Sequence, residues 1–326
     1  MKHIFIVNPA AGPRNAFDEI KNSLRKYDGK LDYEIYTTKG RGDAVSFVKN
    51  RCSTHWGKVR LYACGGDGTL NEVVNGIAGF QQASVSCYPC GSGNDFVKYY
   101  GGKEKFLDID KLIHASEKTI DLIKVSDRYC INVCHFGFDT CVAETVAKLK
   151  RKKIIGGKNS YIAAGFKAFI KAMRNQCKIV VDGELIQDGD MLACHIANGS
   201  YVGGSFNCAP FAVNDDGILE VCLIKCVSRL RFLSMVIPLA KGELTTDQRF
   251  KDCVVYRRGK VIEIEGPKDF GISIDGEVVY NDHFKVEVIE KAIKFAVPTT
   301  VSSSYLQQEQ EAEASTCPPD RSADTI

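Results

Sequence analysis

Three glycine-bearing turns, each closing a short apolar run, constrain this chain more than any other feature. They are Asn8-Pro9-Ala10-Ala11-Gly12, Gly65-Gly66-Asp67-Gly68-Thr69 and Pro89-Cys90-Gly91-Ser92-Gly93-Asn94-Asp95-Phe96. The runs before them, His3 to Val7, Lys58 to Cys64 and Ser84 to Tyr88, have the length and apolarity of buried strands. A helical period follows the first turn, with Phe17, Ile20, Leu24 and Tyr27 on one face, and Leu70 to Ile77 reads as a helix after the second. Tyr33 to Thr37 adds a strand and Asp43 to Arg51 a helix. The alternation predicts an α/β domain with a mostly parallel sheet and helices on both faces. In such sheets the strand-end turns gather along one edge, where ligands bind.

Beyond about Ile123 the texture changes to short β-rich runs. Tyr129 to His135, Lys178 to Val181, Met191 to Asn198, Ile218 to Cys226, Val261 to Glu265, Gly271 to Ile274 and Phe284 to Val288 read as strands, with one helical region near Ser160 to Asn175. Asp-Gly pairs at 182–183, 188–189, 216–217 and 275–276 are turn signals typical of antiparallel connections. The expected division is an α/β domain over 1–122, a mainly antiparallel β domain over 123–290, and a strand within 291–298 returning to the first domain. The Ser/Gln/Glu-rich stretch 299–326 is expected to be a disordered acidic tail.

Of the 326 residues 44% are hydrophobic, enough for a large core, and the net charge is +3. The tail holds five acids and one base, so the body is more basic than the total. That admits anionic partners without selecting one; a nucleic-acid partner is not assigned. Many of the fourteen cysteines lie in apolar runs (Cys64, Cys134, Cys194, Cys222), where a thiol is a small hydrophobe. The chain runs from Met1 straight into a strand with no leader, so reduced thiols and a cytoplasmic location are expected. Cys87 and Cys90 form a CxxC, but no second pair stands at zinc-ribbon spacing. No run reaches the ~18 apolar residues that span a bilayer; the nearest, Phe232 to Ala240, contains Pro238.

The central turn can cradle an anion. Its glycines let backbone N–H groups approach closely, and the helix that follows directs partial positive charge at the same point. Asp67 is the odd member, since a carboxylate repels phosphate; it suits a cation ligand or a proton acceptor. No Gly-x-x-x-x-Gly-Lys-Ser/Thr, His-Arg-Asp or Asp-Phe-Gly sequence is present, which argues against a P-loop ATPase and a protein kinase.

Gly65-Gly66-Asp67-Gly68-Thr69-Leu70-Asn71-Glu72-Val73-Val74-Asn75-Gly76 resembles the signature of the diacylglycerol kinase catalytic domain family, which includes bacterial soluble lipid kinases and the related sphingosine kinases. The resemblance extends through Asn8 to Gly12, Gly91 to Phe96, Asn132 to Asp139, Asn198 to Pro210, Asp215 to Leu219 and Ile274 to Glu277, to about Val297. NAD kinases share the Gly-Gly-Asp-Gly loop but not the Leu-Asn-Glu-Val-Val-Asn-Gly continuation, and stand as the alternative. The resemblance implies an ATP-dependent lipid kinase, with diacylglycerol as acceptor and a sphingoid or other lipid as alternative. It places ATP on Asn8, Pro9, Ala10, Ala11, Gly12, Thr38, Gly65, Gly66, Asp67, Gly68, Thr69, Leu70, Asn71 and Ser92. Thr38 reads equally as a strand-end threonine.

Mg²⁺ is implied with the nucleotide, and a structural divalent ion on Asp216 with the carbonyls of Val213 and Ile218, where the residues alone read as an Asp-Gly turn. Glu277 matches the proton acceptor of the bacterial members, with Asp67 the competing candidate. Asp121 and Asp95 resemble acids linking the loops to the reaction centre; Asp95 reads equally as a helix N-cap. Peripheral membrane contact is implied, and a homodimer is compatible with the pattern. The basic run Lys148, Lys150, Arg151, Lys152 and Lys153, followed by Ile154-Ile155 and an apolar helix carrying Tyr161, Ile162, Phe166, Phe169, Ile170 and Met173, is the candidate docking surface.

Overall fold

The computed structural model describes residues 1–12, 16–151, 169–170 and 172–298. The tail, Lys152 to Ile155, Tyr161, Ile162 and Phe166 lie outside the described residues. Five strands run parallel at one end: β1 (Lys2–Val7), β2 (Tyr33–Thr37), β3 (Val59–Gly65), β4 (Ala83–Pro89) and the end of a last long strand, in the order 2-1-3-4-last. Helices α1 (Ala16–Leu24), α2 (Asp43–Thr54), α3 (Asp67–Ile77) and α4 (Ile109–Ile113) accompany them. β1 and β3 are apolar along nearly their whole length because the sheet is covered on both faces.

The rest of the sheet is antiparallel. β5 (Ser116–Val125), β6 (Arg128–Cys130), β7 (Val133–Gly137), β8 (Asn175–Val181) and β9 (Glu184–Ala197) come first. A small hairpin, β10 (Tyr201–Val202) with β11 (Phe206–Asn207), forms its own sheet. β12 (Leu219–Lys225), β13 (Val254–Gly259), β14 (Val261–Glu265), β15 (Gly271–Ile274), β16 (Glu277–Tyr280) and β17 (His283–Val297) follow. β17 antiparallel to β14 and β5 becomes, at Lys294 and Phe295, a parallel neighbour of β4. Phe295 is fully buried in the first core and meets Phe96 edge-on at 5.0 Å between ring centroids.

Several elements differ from the sequence reading. Asp188-Gly189 lies inside β9 and makes no turn, paired in register with Lys178 and Cys177 of β8; the irregularity of this pair falls further on, where Ile186 is the extra residue. α5 (Phe138–Arg151) starts inside a stretch read only as a motif. α6 (Arg229–Lys241) forms over the Pro238 segment, capped by the Ser228 hydroxyl accepting from Arg231 N at 3.3 Å and closed by Gly242. Asn175, expected in a helix, begins β8.

Candidate active site

The parallel strands deliver the three glycine turns to one edge, and backbone contact holds them there. A Cβ on Gly91 would lie 2.5 Å from the Gly66 Cα, so the second and third turns meet with room for no side chain. The first joins through Asn8, whose Nδ2 donates to Thr69 Oγ1 at 3.1 Å. Pro9, Ala10, Gly12, Gly68 and Ser92 are left exposed along this edge. Thr38 directly follows β2 beside them, its N–H bonded to Val7 O at 2.9 Å. Glu72 of α3 accepts from Gly42 N and Ala44 N, fixing the loop that follows Thr38. Leu70 is buried in the core behind the turn, so its side chain faces away from this edge.

Asp67 opens α3, and its Oδ1 accepts from Asp95 N at 2.7 Å and Phe96 N at 3.4 Å. A Cβ on Gly93 would lie 2.9 Å from Asp67 Oδ2 and 3.5 Å from Asp95 Oδ2, so a side chain there would push on the Asp67 carboxylate. Burial, reinforced by the neighbouring charge of Asp95, pushes the Asp67 carboxyl up to about 6. Asp95 stands at the N-cap position of the short 3₁₀ helix Phe96–Tyr100, but its side chain makes no capping bond. Its oxygens instead accept from Gly204 N, in the β10–β11 turn, at 3.0 Å and pair with Lys98.

Glu277 opens β16. Its Oε2 lies 2.8 Å from Arg41 Nη2 and 3.6 Å from Arg128 Nη2, guanidiniums contributed by the loop before α2 and by β6. The neighbouring Asp275, to which the sequence reading gave no role beyond a turn, is the hub of this corner. Its carboxylate accepts from Asn71 Nδ2 (2.7 Å), Ile131 N (2.8 Å), Asn132 N (3.1 Å) and Val133 N (3.2 Å). Burial raises its carboxyl even so. Asn71 therefore spends its amide on Asp275 and on Tyr129 O at 3.0 Å, not on the exposed edge.

Asp121 and Asp216 are not brought into this group. Asp121 is fully buried and accepts from Gly217 N and Lys291 N, each at 2.7 Å, tying the Asp-Gly turn to a positive-φ residue of β17. Asp216 pairs with Arg258 and accepts from Ile218 N at 3.1 Å. The Arg258 guanidinium thus occupies the carboxylate expected to hold a structural ion with Val213 and Ile218, a partly exposed pairing that an ion would have to replace. Among the described residues no disulfide is formed and no group of three or more His, Cys, Asp or Glu side chains is arranged to hold a metal.

The fold and the paired glycine loops define a two-domain kinase. Residues 2–125 match the diacylglycerol kinase catalytic domain and residues 132–297 the YegS C-terminal NAD kinase beta sandwich-like domain. The chain belongs to the diacylglycerol kinase catalytic domain family. It is 31% identical over 278 residues to a diacylglycerol kinase of Staphylococcus aureus strain MRSA252, covering 83% of this chain and 84% of that one. It is 30% identical over 290 residues to a Serratia proteamaculans protein named "Probable lipid kinase YegS-like", covering 86% and 90%. In fold it is similar to a diacylglycerol kinase structure from Bacillus anthracis (TM-score 0.68, 20% identity, 92% of this chain and 98% of that one). An Archaeoglobus fulgidus NAD kinase in complex with ATP gives TM-score 0.51 at 13% identity, covering 95% and 99%.

Proposed function

We propose that the protein transfers the γ-phosphoryl group of ATP to the free hydroxyl of a diacylglycerol, yielding phosphatidic acid and ADP. The observation that carries this is the convergence of two glycine loops and the α3 N-terminus on Asp67, opposite a hairpin bearing Glu277. Backbone N–H groups of Gly65 to Thr69 receive phosphate oxygens with the helix dipole behind them. Asn8 to Gly12, Thr38 and Ser92 border the nucleotide.

Asp67, crowded by Asp95 and short of positive charge, fits Mg²⁺ carried by the nucleotide; the ion would offset charge on the transferring group. Glu277, 26% exposed and held by two guanidiniums, accepts the hydroxyl proton as the oxygen attacks phosphorus. Arg41 and Arg128 hold its carboxylate in place until nucleotide phosphate competes for them.

Contact with a bilayer belongs to the same proposal. Leu230, Leu233 and Ile237 form an exposed apolar stripe on α6 at i, i+3, i+7 spacing. No described helix is long and apolar enough to cross a membrane.

The test is ATP turnover with diacylglycerol, a sphingoid base, ceramide and NAD, products read by mass spectrometry. Phosphatidic acid is the expected product, with Glu277→Gln and Asp67→Asn each slowed by about 10²-fold or more. Phosphorylation of NAD alone would overturn the proposal. Near-native turnover in either variant would remove that residue from the mechanism.

A further inference from the structure

Across the second domain one register row is polar on a single sheet face. Ser273 of β15 pairs with His135 of β7, His135 with His195 of β9, His195 with Cys222 of β12, and Cys222 with Tyr256 of β13. Residues directly opposite in antiparallel strands point to the same side, so five polar or polarisable side chains stand in line. Their neighbours in sequence, among them Ile272, Ile274, Cys134, Phe136, Cys194, Ile196, Val221 and Leu223, fill the apolar core on the other side.

The row is buried and only partly satisfied. Among the described residues His135 Nδ1 and Ser273 Oγ have no hydrogen-bond partner, while His195 meets the Cys222 thiol and Tyr256 meets Glu220; His195 and Ser273 are 1% and 0% exposed. Burying such atoms without partners is costly, so two on adjacent strands mark a place built to meet polar groups from outside. Asp139, on the first turn of α5, takes His195 Nε2 at 2.7 Å and is itself 29% exposed, so the row reaches the surface there. The row also adjoins the reaction centre. Ser273 lies two residues before Asp275 on the hairpin of Glu277, and the charge of Asp95 acts on His135.

We propose that Ser273, His135 and His195, with Asp139 as the positioning carboxylate, read the polar head of the acceptor and select a neutral hydroxyl- and ester-bearing glycerolipid over a lipid bearing an ammonium group. This rests on the lipid-kinase proposal above. Burial alone would lower the His195 imidazole, but the adjacent Asp139 carboxylate overrides it and raises it, so His195 is an imidazolium. With Nε2 committed to Asp139, Nδ1–H can only donate, and the Cys222 thiol beside it is a weak acceptor that a ligand oxygen replaces. Burial lowers His135 to about 4 and leaves it neutral, able to donate at one nitrogen and accept at the other. Ester carbonyl and hydroxyl oxygens accept from this set, whereas an ammonium brings only donors to the fixed donor of His195.

The experiment uses the full chain with dioctanoylglycerol and sphingosine in mixed micelles, comparing wild type with His195→Gln and Ser273→Ala. Dioctanoylglycerol binding is also measured by calorimetry without ATP. The expected result is an acceptor KM raised about tenfold, the worth of one hydrogen bond to a charged group. The ATP KM should stay within about twofold, and the diacylglycerol-to-sphingosine ratio of kcat/KM should fall about tenfold in His195→Gln. Ser273→Ala removes one hydroxyl from a packed site and decides the matter if His195→Gln does not fold. Unchanged acceptor KM and selectivity in a folded variant would overturn the inference while leaving the kinase proposal standing. If wild type phosphorylates no diacylglycerol, the kinase proposal falls, and calorimetry decides this one: binding weakened by the substitutions sustains it, and equal or absent binding overturns it.

Discussion

Replacing Asp275 by alanine should destabilise the protein severely and disable it at the same time. The carboxylate is the acceptor for Asn71 Nδ2 and for three successive backbone amides, Ile131, Asn132 and Val133, at 2.7 to 3.2 Å. Alanine strands these four donors and the Cys130 thiol, whose Sγ donates to the same carboxylate at 3.1 Å. Each buried donor left unsatisfied costs about 1–3 kcal/mol. Water entering the vacated volume relieves part of the sum, so the net loss should be about 3–5 kcal/mol, the range for uncoupling a buried charged network. Against a typical total of about 5–15 kcal/mol, that is a large fraction. The urea midpoint should fall by roughly 1–2 M at a slope of about 2–3 kcal/mol/M. Residual activity should fall as well, since the same bonds fix the hairpin of Glu277 to α3. A variant whose midpoint stays within about 0.5 M of wild type would show that these donors find other partners and would refute the assignment of Asp275 as the hub.

Asp67→Asn should abolish transfer yet stabilise the fold. The native carboxyl is raised to about 6, so ionising it costs the fold stability that is present below the unfolded value near 3.8 and lost as pH rises through 6. The asparagine should therefore gain up to about 3 kcal/mol at pH 8 and nothing at pH 3; equal gains at both pH values, read from thermal unfolding, would contradict this. For the same reason activity should fall as pH drops through about 6. Asp121→Asn, which puts an NH₂ against Gly217 N or Lys291 N, should cost about 1–3 kcal/mol in denaturant unfolding while kcat changes only a few-fold. A loss of about 10² in kcat at an unchanged midpoint would return Asp121 to the reacting groups. Leu230→Glu with Ile237→Glu on exposed α6 should weaken sedimentation with phospholipid vesicles about tenfold or more and leave the melting temperature alone; unchanged sedimentation would move the membrane contact elsewhere.

The parallel half of the fold was legible because its signals are local: an apolar run, a glycine turn, a helix with one buried face. The antiparallel half was legible only as strands. What pairs with what is set by contacts between residues far apart in sequence, such as Ser86 Oγ donating to Ala296 O at 2.7 Å. α5 escaped notice because its charged face, Lys148 included, resembled a solvated run, and α6 because Pro238 suggested a break. At the site, glycines and acids announced themselves by residue type, but their partners did not. Asn71 read as a nucleotide contact, and nothing in its residue type told that its amide also holds Asp275. The polar row of β15, β7, β9, β12 and β13 is invisible in sequence, because each member is one histidine, serine, cysteine or tyrosine in an apolar strand and only register aligns them.

The acids of this protein divide by what answers their charge. Asp121 and Asp275 are answered by backbone amides and stay where they are whatever binds, so they set geometry. Asp216 is answered by Arg258, and Glu277 by Arg41 and Arg128, partners that an incoming anion can draw away. Asp95 is answered by Lys98 and by Gly204 N, which fixes its remaining field on Asp67. Asp67 meets amides on one oxygen and another acid near the other, and its carboxyl rises accordingly. On the proposed function, a carboxylate short of counter-charge beside the glycine loops disfavours a bare anion and favours one that arrives with a cation, as a metal-bound nucleotide would.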